Sequence, residues 1–314
     1  MHQASGRALY GFCLALTTAV LWGMLPIALK IVLTALAAHP ITCVRFLAAA
    51  AFVAVVLYKH NSLPSLAKAR GKVLKLLIIA VVGLLLNYIL YLVGLSLLTA
   101  ETAQVVIQLA PFLMMLGGIF IFREHLLLWQ RIGAVLLMVG LLLFFNDRLL
   151  LLLTQFGQDS YGVLLVIVAA VTWAAYALAQ KQLLMTYNSQ QIMLFIYVAG
   201  AISFLPLAEW APLATMSGLH WALLLFCCLN TIVAYGAFAE ALQHWEASKV
   251  SAVLAITPLL TILFANLVSW IWPDAPAAQP LNVWSIAGAC MVVVGSAVTA
   301  LAPLLKQYRA RQQA

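Results

Sequence analysis

Charge is scarce in this chain. Asp, Glu, Lys and Arg make up 8% of its 314 residues, against roughly a quarter in an ordinary soluble domain. A chain so poor in charge cannot cover a globule with a solvated surface. Paired cysteines are lacking too. Cys13, Cys43, Cys227, Cys228 and Cys290 all fall in apolar stretches, and none forms a Cys-x-x-Cys pair, which argues against a disulfide framework or a zinc site. The six histidines are scattered. There is no His-Glu-x-x-His, no Gly-x-Ser-x-Gly and no pair of intramembrane aspartates, so the chemistry of an intramembrane hydrolase has no visible carrier. There is no Gly-x-x-x-x-Gly-Lys-Ser/Thr loop either, so ATP hydrolysis by this chain is not expected. No metal and no cofactor are called for.

What the chain has in abundance is apolar sequence, 66% of residues. Apolar segments sit near 9–31, 40–58, 73–97, 102–122, 130–146, 160–183, 190–208, 220–242, 248–271 and 282–304. A spanning helix needs about 20 such residues, so ten spans use roughly 200 positions and leave no room for a soluble domain. Backbone groups in lipid must be satisfied internally, by helices or a closed barrel. These runs lack the alternation over about ten residues that a barrel strand shows. The expected fold is an all-α polytopic membrane protein of ten transmembrane helices. The first segment resembles a signal peptide in having Arg7 before it and Ala35-Leu36-Ala37 after it, but it exceeds the roughly 7–15 residues of a signal core and is read as a retained helix.

The net charge of +8 is placed as the positive-inside rule requires. With the N-terminus in the cytoplasm, the cytoplasmic loops and tails carry Arg7, Lys59, Lys68, Arg70, Lys72, Lys75, Arg123, Arg131, Lys181, Lys249, Lys306, Arg309 and Arg311, thirteen of sixteen cations. The opposite loops carry Arg148 with Glu101, Asp147, Asp159, Glu209 and Asp274. Both termini are therefore expected in the cytoplasm and the chain in the cytoplasmic (inner) membrane. The Lys68–Lys75 cluster becomes a headgroup anchor rather than a nucleic-acid site.

The chain also repeats itself. Trp22 and Lys30 match Trp173 and Lys181 at an offset of 151; Tyr88 and Pro111 match Tyr235 and Pro258 at 147; Gly133-Ala134 and Gly140 match Gly288-Ala289 and Gly295 at 155. The order is the same in both halves, which divides the chain into 1–147 and 148–314. Five spans per half is an odd number, so the second half must enter the membrane upside down. Inverted repeats with a midplane site between them are the architecture of secondary transporters.

Several of these residues resemble a known module. Gly94-Leu95-Ser96, Ala103, Pro111, Phe122-Arg123-Glu124-His125-Leu126, Gln130, Gly133 and Gly140 look like the EamA-type module of the drug/metabolite transporter superfamily. Leu21-Trp22-Gly23 and Arg45-Phe46 fit the same module. Ala241-Leu242, Ala247-Ser248, Pro258, Gly288 and Gly295 repeat it. Arg123 stands where the module usually has glycine before the glutamate, and the second half has Trp272-Pro273-Asp274 in place of that turn. The resemblance implies two such modules in one permease for small molecules, exporting amino acids or other metabolites, with the cargo open between amphipathic compounds, nucleobases and cationic drugs.

Polar groups inside spans are expensive and are functional candidates by default. Lys30, Arg45 and Glu240 are the charged ones, candidates for anchoring, carboxylate pairing and proton coupling. Trp22, Asn87, Tyr88, Tyr91, Gln104, Gln108, Trp173, Tyr176, Gln180, Tyr197, Asn230, Tyr235 and Asn266 are the aromatic and amide candidates for a cavity lining. Each amide has the alternative role of gluing helices together. Pro26, Pro111 and Pro258 each cost a helix hydrogen bond and are candidate hinges. The glycine pairs seven apart suit close helix packing, and Trp210, Trp221, Trp270 and Trp272 suit the interfacial belt. The partners expected are a small-molecule substrate, the lipid bilayer and a proton or solute counter-ion; nothing in the sequence speaks to the oligomeric state.

Overall fold

The computed structural model describes residues 8–122, 127–146, 157–244, 250, 253–272 and 281–312. Residues 123–126, the segment 147–156 and the proline-rich stretch 273–280 lie outside them. The described residues form eleven α-helices: α1 (Ala8–Val32), α2 (Ala38–Lys59), α3 (Gly71–Leu97), α4 (Ala100–Val106), α5 (Leu109–Phe122), α6 (Leu128–Phe144), α7 (Gln158–Leu183), α8 (Ser189–Phe204), α9 (Gly218–His244), α10 (Thr257–Ile271) and α11 (Val283–Gln312). Six stretches, Leu9–Val32, Ala38–Lys59, Gly71–Leu97, Gln158–Leu183, Ser189–Leu207 and Gly218–Phe238, are long and apolar enough to cross a membrane; Leu128–Phe144, Thr257–Ile271 and Val283–Thr299 are shorter and apolar. Large apolar side chains such as Phe52, Val135, Ile202 and Trp284 point outward and are exposed. A soluble monomer rarely tolerates so wide an apolar surface; in lipid it is the solvated one. The fold is polytopic and helical, as expected.

One expectation fails in an instructive way. The run 102–122 was expected to be one helix, and it is two. α4 ends at Val106, and Ile107 and Gln108 turn before α5 begins. The cause is Pro111, which has no N–H for the carbonyl of Ile107; the Ala110 N–H takes that carbonyl instead, at 2.9 Å. The repeat-related Pro258 behaves alike. Residues 255–256 form a turn, α10 starts at Thr257, and the Thr257 hydroxyl donates to the Leu254 carbonyl that Pro258 cannot reach, at 2.6 Å. Both prolines thus sit in the first turn of a helix, where the missing donor is tolerated, and not mid-helix. Pro26 lies inside α1, which runs on through it.

The helix pairs reveal the symmetry. α6 packs along α11, α3 along α7, α1 along α9 and α2 along α8, with α10 against α1 and α5 against α7. Exchanging the two halves turns the α1–α9 pair into α7–α3 and the α1–α10 pair into α7–α5, and leaves α2–α8 and α6–α11 as they are. The contacts agree in detail. A Cβ on Gly83 would meet the Thr172 carbonyl at 2.9 Å, and at the related place Asn230 donates to the Leu21 carbonyl at 2.6 Å. Asn87 donates to the Ala169 carbonyl at 2.9 Å, where the other half has Thr18 donating to Ala234 at 3.3 Å. The related helices run in opposite directions. Cys43 bonds to Ala201 while His39 stacks near Phe204 and Phe46 near Tyr197. Gly133 faces Gly295 and Thr299 while Gly140 faces Gly288 and Val292. The two halves are therefore inverted relative to each other.

Candidate functional site

Aromatic and polar side chains converge where α2, α3, α7, α8 and α9 meet. Arg45, on α2, is 3% exposed. Its Nε donates to the Thr231 hydroxyl of α9 at 3.0 Å, and that hydroxyl donates in turn to the Cys227 carbonyl at 2.8 Å. The guanidinium carbon lies 4.9 Å from the centre of the Tyr88 ring, within cation–π range. Phe46, fully buried, packs against Tyr88 at 4.6 Å and Tyr197 at 5.6 Å between ring centres. Tyr176 reaches the Met193 sulfur at 3.4 Å and meets Trp173 edge-on at 6.3 Å. Trp22 of α1 and Tyr235 of α9 form a T-shaped pair at 5.4 Å. Both were repeat markers in the sequence, and here a marker of one half meets a marker of the other.

The structure therefore brings Trp22, Arg45, Tyr88, Trp173, Tyr176, Tyr197 and Tyr235 into one neighbourhood. Tyr91 and Gln104 stand beside it, joined by a hydrogen bond of 3.2 Å that ties α3 to α4, and Gln108 is buried near the α4–α5 break. Other candidates go elsewhere. Asn87 and Asn230 are fastened across helix pairs, as described. Gln180 bonds Ser189 at the far end of α7. Lys30 donates to the carbonyls of Leu95 and Ser96, at 2.9 and 2.8 Å, and so satisfies the end of α3 that the helix itself leaves open. Lys181, its repeat mate, is exposed.

Two candidates sit at exposed positions. Asn266 is exposed on α10 and donates to the Ile262 carbonyl of its own helix at 2.7 Å. Glu240 is half exposed and touches Tyr10 at 3.3 Å and His244 at 3.7 Å, at the end of α9. It stands near a span end, where the sequence puts it, and is not enclosed by the fold. The buried acid is Glu101, 2% exposed on α4, with one carboxyl oxygen that meets no hydrogen-bond partner among the described residues. Sequence placed it in a loop because α4 starts two residues earlier than the hydropathy suggests. Phe46 was noted only as a motif residue, and Thr231 carried no signal at all; a threonine in an apolar span is ordinary until its partner is known.

The asparagines yield a direct test. Asn87→Leu is expected to destabilise the protein by about 0.6 kcal/mol and at most about 1.7, the range of interhelical polar bonds in membranes. Asn266→Leu should leave stability unchanged or improve it. Melting curves of the purified variants in one detergent separate the two.

Comparison with known proteins now decides the family. The EamA-like transporter family model matches residues 9–146 and again residues 160–301. The chain belongs to the EamA-like transporter family. Its two matches coincide with the two inverted halves seen in the helix packing. Among curated relatives, an uncharacterized transporter of Haemophilus influenzae is 41% identical over 303 residues, covering 96% of this chain and 98% of the relative. The uncharacterized inner membrane transporter YhbE of Escherichia coli K12 is 40% identical over 304 residues, covering 96% and 93%. A solved crystal structure shares the fold, with a TM-score of 0.64 at 18% identity over 93% of this chain and 97% of its own. This EamA-like protein is thus a multi-pass membrane protein of a transporter family.

Proposed function

We propose that the protein is a secondary transporter that moves small metabolites across the cytoplasmic membrane by alternating access, exporting amino acids or related amphipathic compounds. The observation that carries this reading is the exchange symmetry of the helix pairs: two inverted halves can trade conformations and so open the same site to either side. The site between them is the aromatic neighbourhood around Arg45, which suits a solute with an apolar body and a few polar atoms. We take 1–147 and 148–314 as the two halves and both termini as cytoplasmic, in keeping with the cation placement. A multidrug permease for cations is the second reading, and the buried Arg45 disfavours it.

Counterflow in proteoliposomes tests the proposal. Vesicles preloaded with unlabelled amino acid should accumulate the labelled compound transiently, with saturable kinetics. Absence of flux for amino acids, nucleobases and amphipathic cations alike would remove transport as the function. Protease protection of tagged termini in inside-out vesicles tests the orientation; both tags should be accessible there.

A further inference from the structure

We propose that the transported solute carries a carboxylate and that Arg45 is the group that binds it. This inference rests on the transport reading above and specifies its substrate class.

A guanidinium has five N–H donors in a planar fork and no way to shed its charge. Buried without compensation it is among the most costly groups a protein can hold, and its burial is tolerated when charge and hydrogen bonds are both met. In this protein Arg45 is 3% exposed, yet among the described residues its hydrogen bonds come to one, from Nε to Thr231. No carboxylate of the described residues lies within ion-pairing distance of it. Neither Nη is among the sealed, unpartnered nitrogens of the interior, so the fork keeps an opening. The Tyr88 ring steadies one face of the charge without neutralising it. A second group stands beside it: the Tyr88 hydroxyl is buried and paired with Tyr235, in a contact looser than strict hydrogen-bonding geometry. An unneutralised fork next to a loosely held pair of tyrosine hydroxyls is the complement of a planar oxyanion, which takes two parallel N–H bonds from arginine and accepts from a further donor at its edge.

The surroundings define the rest of the solute. Phe46 and Tyr197 pack around the Tyr88 ring beside the guanidinium, so the fork stands among aromatic rings and a carboxylate joined to an apolar or aromatic body is favoured over a bare anion. The position matters too. Arg45 stands on α2 of the first half and is held by Thr231 on α9 of the second. A ligand that fills the fork is thereby bound at the contact between halves.

The experiment uses purified full-length protein in neutral detergent and in phosphatidylcholine vesicles, so no lipid supplies a carboxylate. The probes are the amino acids, each large one accompanied by its carboxamide and its decarboxylated amine, with sodium phosphate as a tetrahedral anion. Thermal stabilisation reads binding and counterflow reads transport. The expected result is that free carboxylates stabilise and compete at least tenfold better than their amides and amines, and better than phosphate. Arg45→Lys, which keeps the charge and loses the fork, should lose most of that preference, and Arg45→Met all of it. Amides or amines matching the carboxylates in wild-type protein would overturn the inference while leaving transport standing, and that comparison needs no variant to fold. Carboxylate preference retained in folded Arg45→Met would overturn it as well. Binding of carboxylates without flux would support the Arg45 assignment and overturn the transport reading. Neither binding nor flux by any probe would overturn both.

Discussion

Phe46→Ala is expected to be the most damaging single substitution in the interior. Its ring is fully buried and packs on Tyr88, Tyr197 and Phe204 at 4.6, 5.6 and 6.2 Å between centres. Removing a buried Phe costs about 3–5 kcal/mol in soluble cores, from lost contacts and the cavity left behind. Lost contacts count equally in lipid, where packing is the main force between helices. The cavity cannot close easily, because Gly200 abuts the ring directly and its backbone belongs to α8. The damage should also reach function, since Tyr88 would lose the neighbour that holds it against Arg45. The melting temperature of Phe46→Ala should fall sharply, and solute affinity should fall in whatever protein remains folded. Phe46→Leu should recover much of the melting temperature and less of the affinity. Melting curves and counterflow on the same preparations check this; a wild-type melting curve for Phe46→Ala would show that the ring is not a packing centre.

Gly288→Ala is expected to force α6 and α11 apart. A Cβ at 288 would overlap the backbone nitrogen of Phe144 and stand 2.6 Å from the Gly140 carbonyl. These are backbone atoms, which cannot swing away as a side-chain tip does. The opposing Gly140 meets the same limit, with Val292 N at 2.7 Å and the Gly288 carbonyl at 2.8 Å. Overpacking of this kind costs about 1–3 kcal/mol per site. The double variant should cost less than the sum, because helices already separated by one methyl have room for the second. Gly236 provides the control: nothing lies within 4 Å of a Cβ placed there, so Gly236→Ala should be neutral or stabilising by up to about 1 kcal/mol. Thermal melting of the wild type, Gly288→Ala, Gly140→Ala, the double variant and Gly236→Ala decides it, and an unshifted Gly288→Ala would mean the seam is looser than described.

The helices, the repeat and the family were legible because each depends on composition along the chain. An apolar run must be helical in lipid, and Trp22 with Trp173, or Pro111 with Pro258, mark a repeat whatever they touch. The direction a side chain faces was far less legible. These helices are apolar nearly all round, so nothing in sequence separates the lipid-facing side from the interior. Asn87 and Asn266 are the same residue in similar apolar runs, and one is clamped to Ala169 while the other is exposed. Glu101 was missed for a related reason. Hydropathy puts it in a loop, but its burial comes from the packing of α4 against α1, α3, α7 and α10, which no single segment encodes. Arg45 was a candidate from its cost alone, and its meaning came from Thr231 and Tyr88, more than 40 positions away in sequence.

Under the proposed alternating access, the pairing of helices also fixes where the energy of the conformational exchange would reside. α2–α8 and α6–α11 are their own counterparts when the halves trade roles, so their contribution is common to both end states and cancels from the difference. The glycine seam can therefore be as tight as packing allows without favouring either state. α1–α9 and α3–α7 would change places instead, and on that proposal the balance between outward and inward forms reduces to the mismatch between those two interfaces, together with their satellites α10 and α5. Asn230 against Gly83, and Asn87 against Ala234, are where that mismatch is written. A substitution there tilts the equilibrium, whereas one in the seam only makes both states firmer or weaker together.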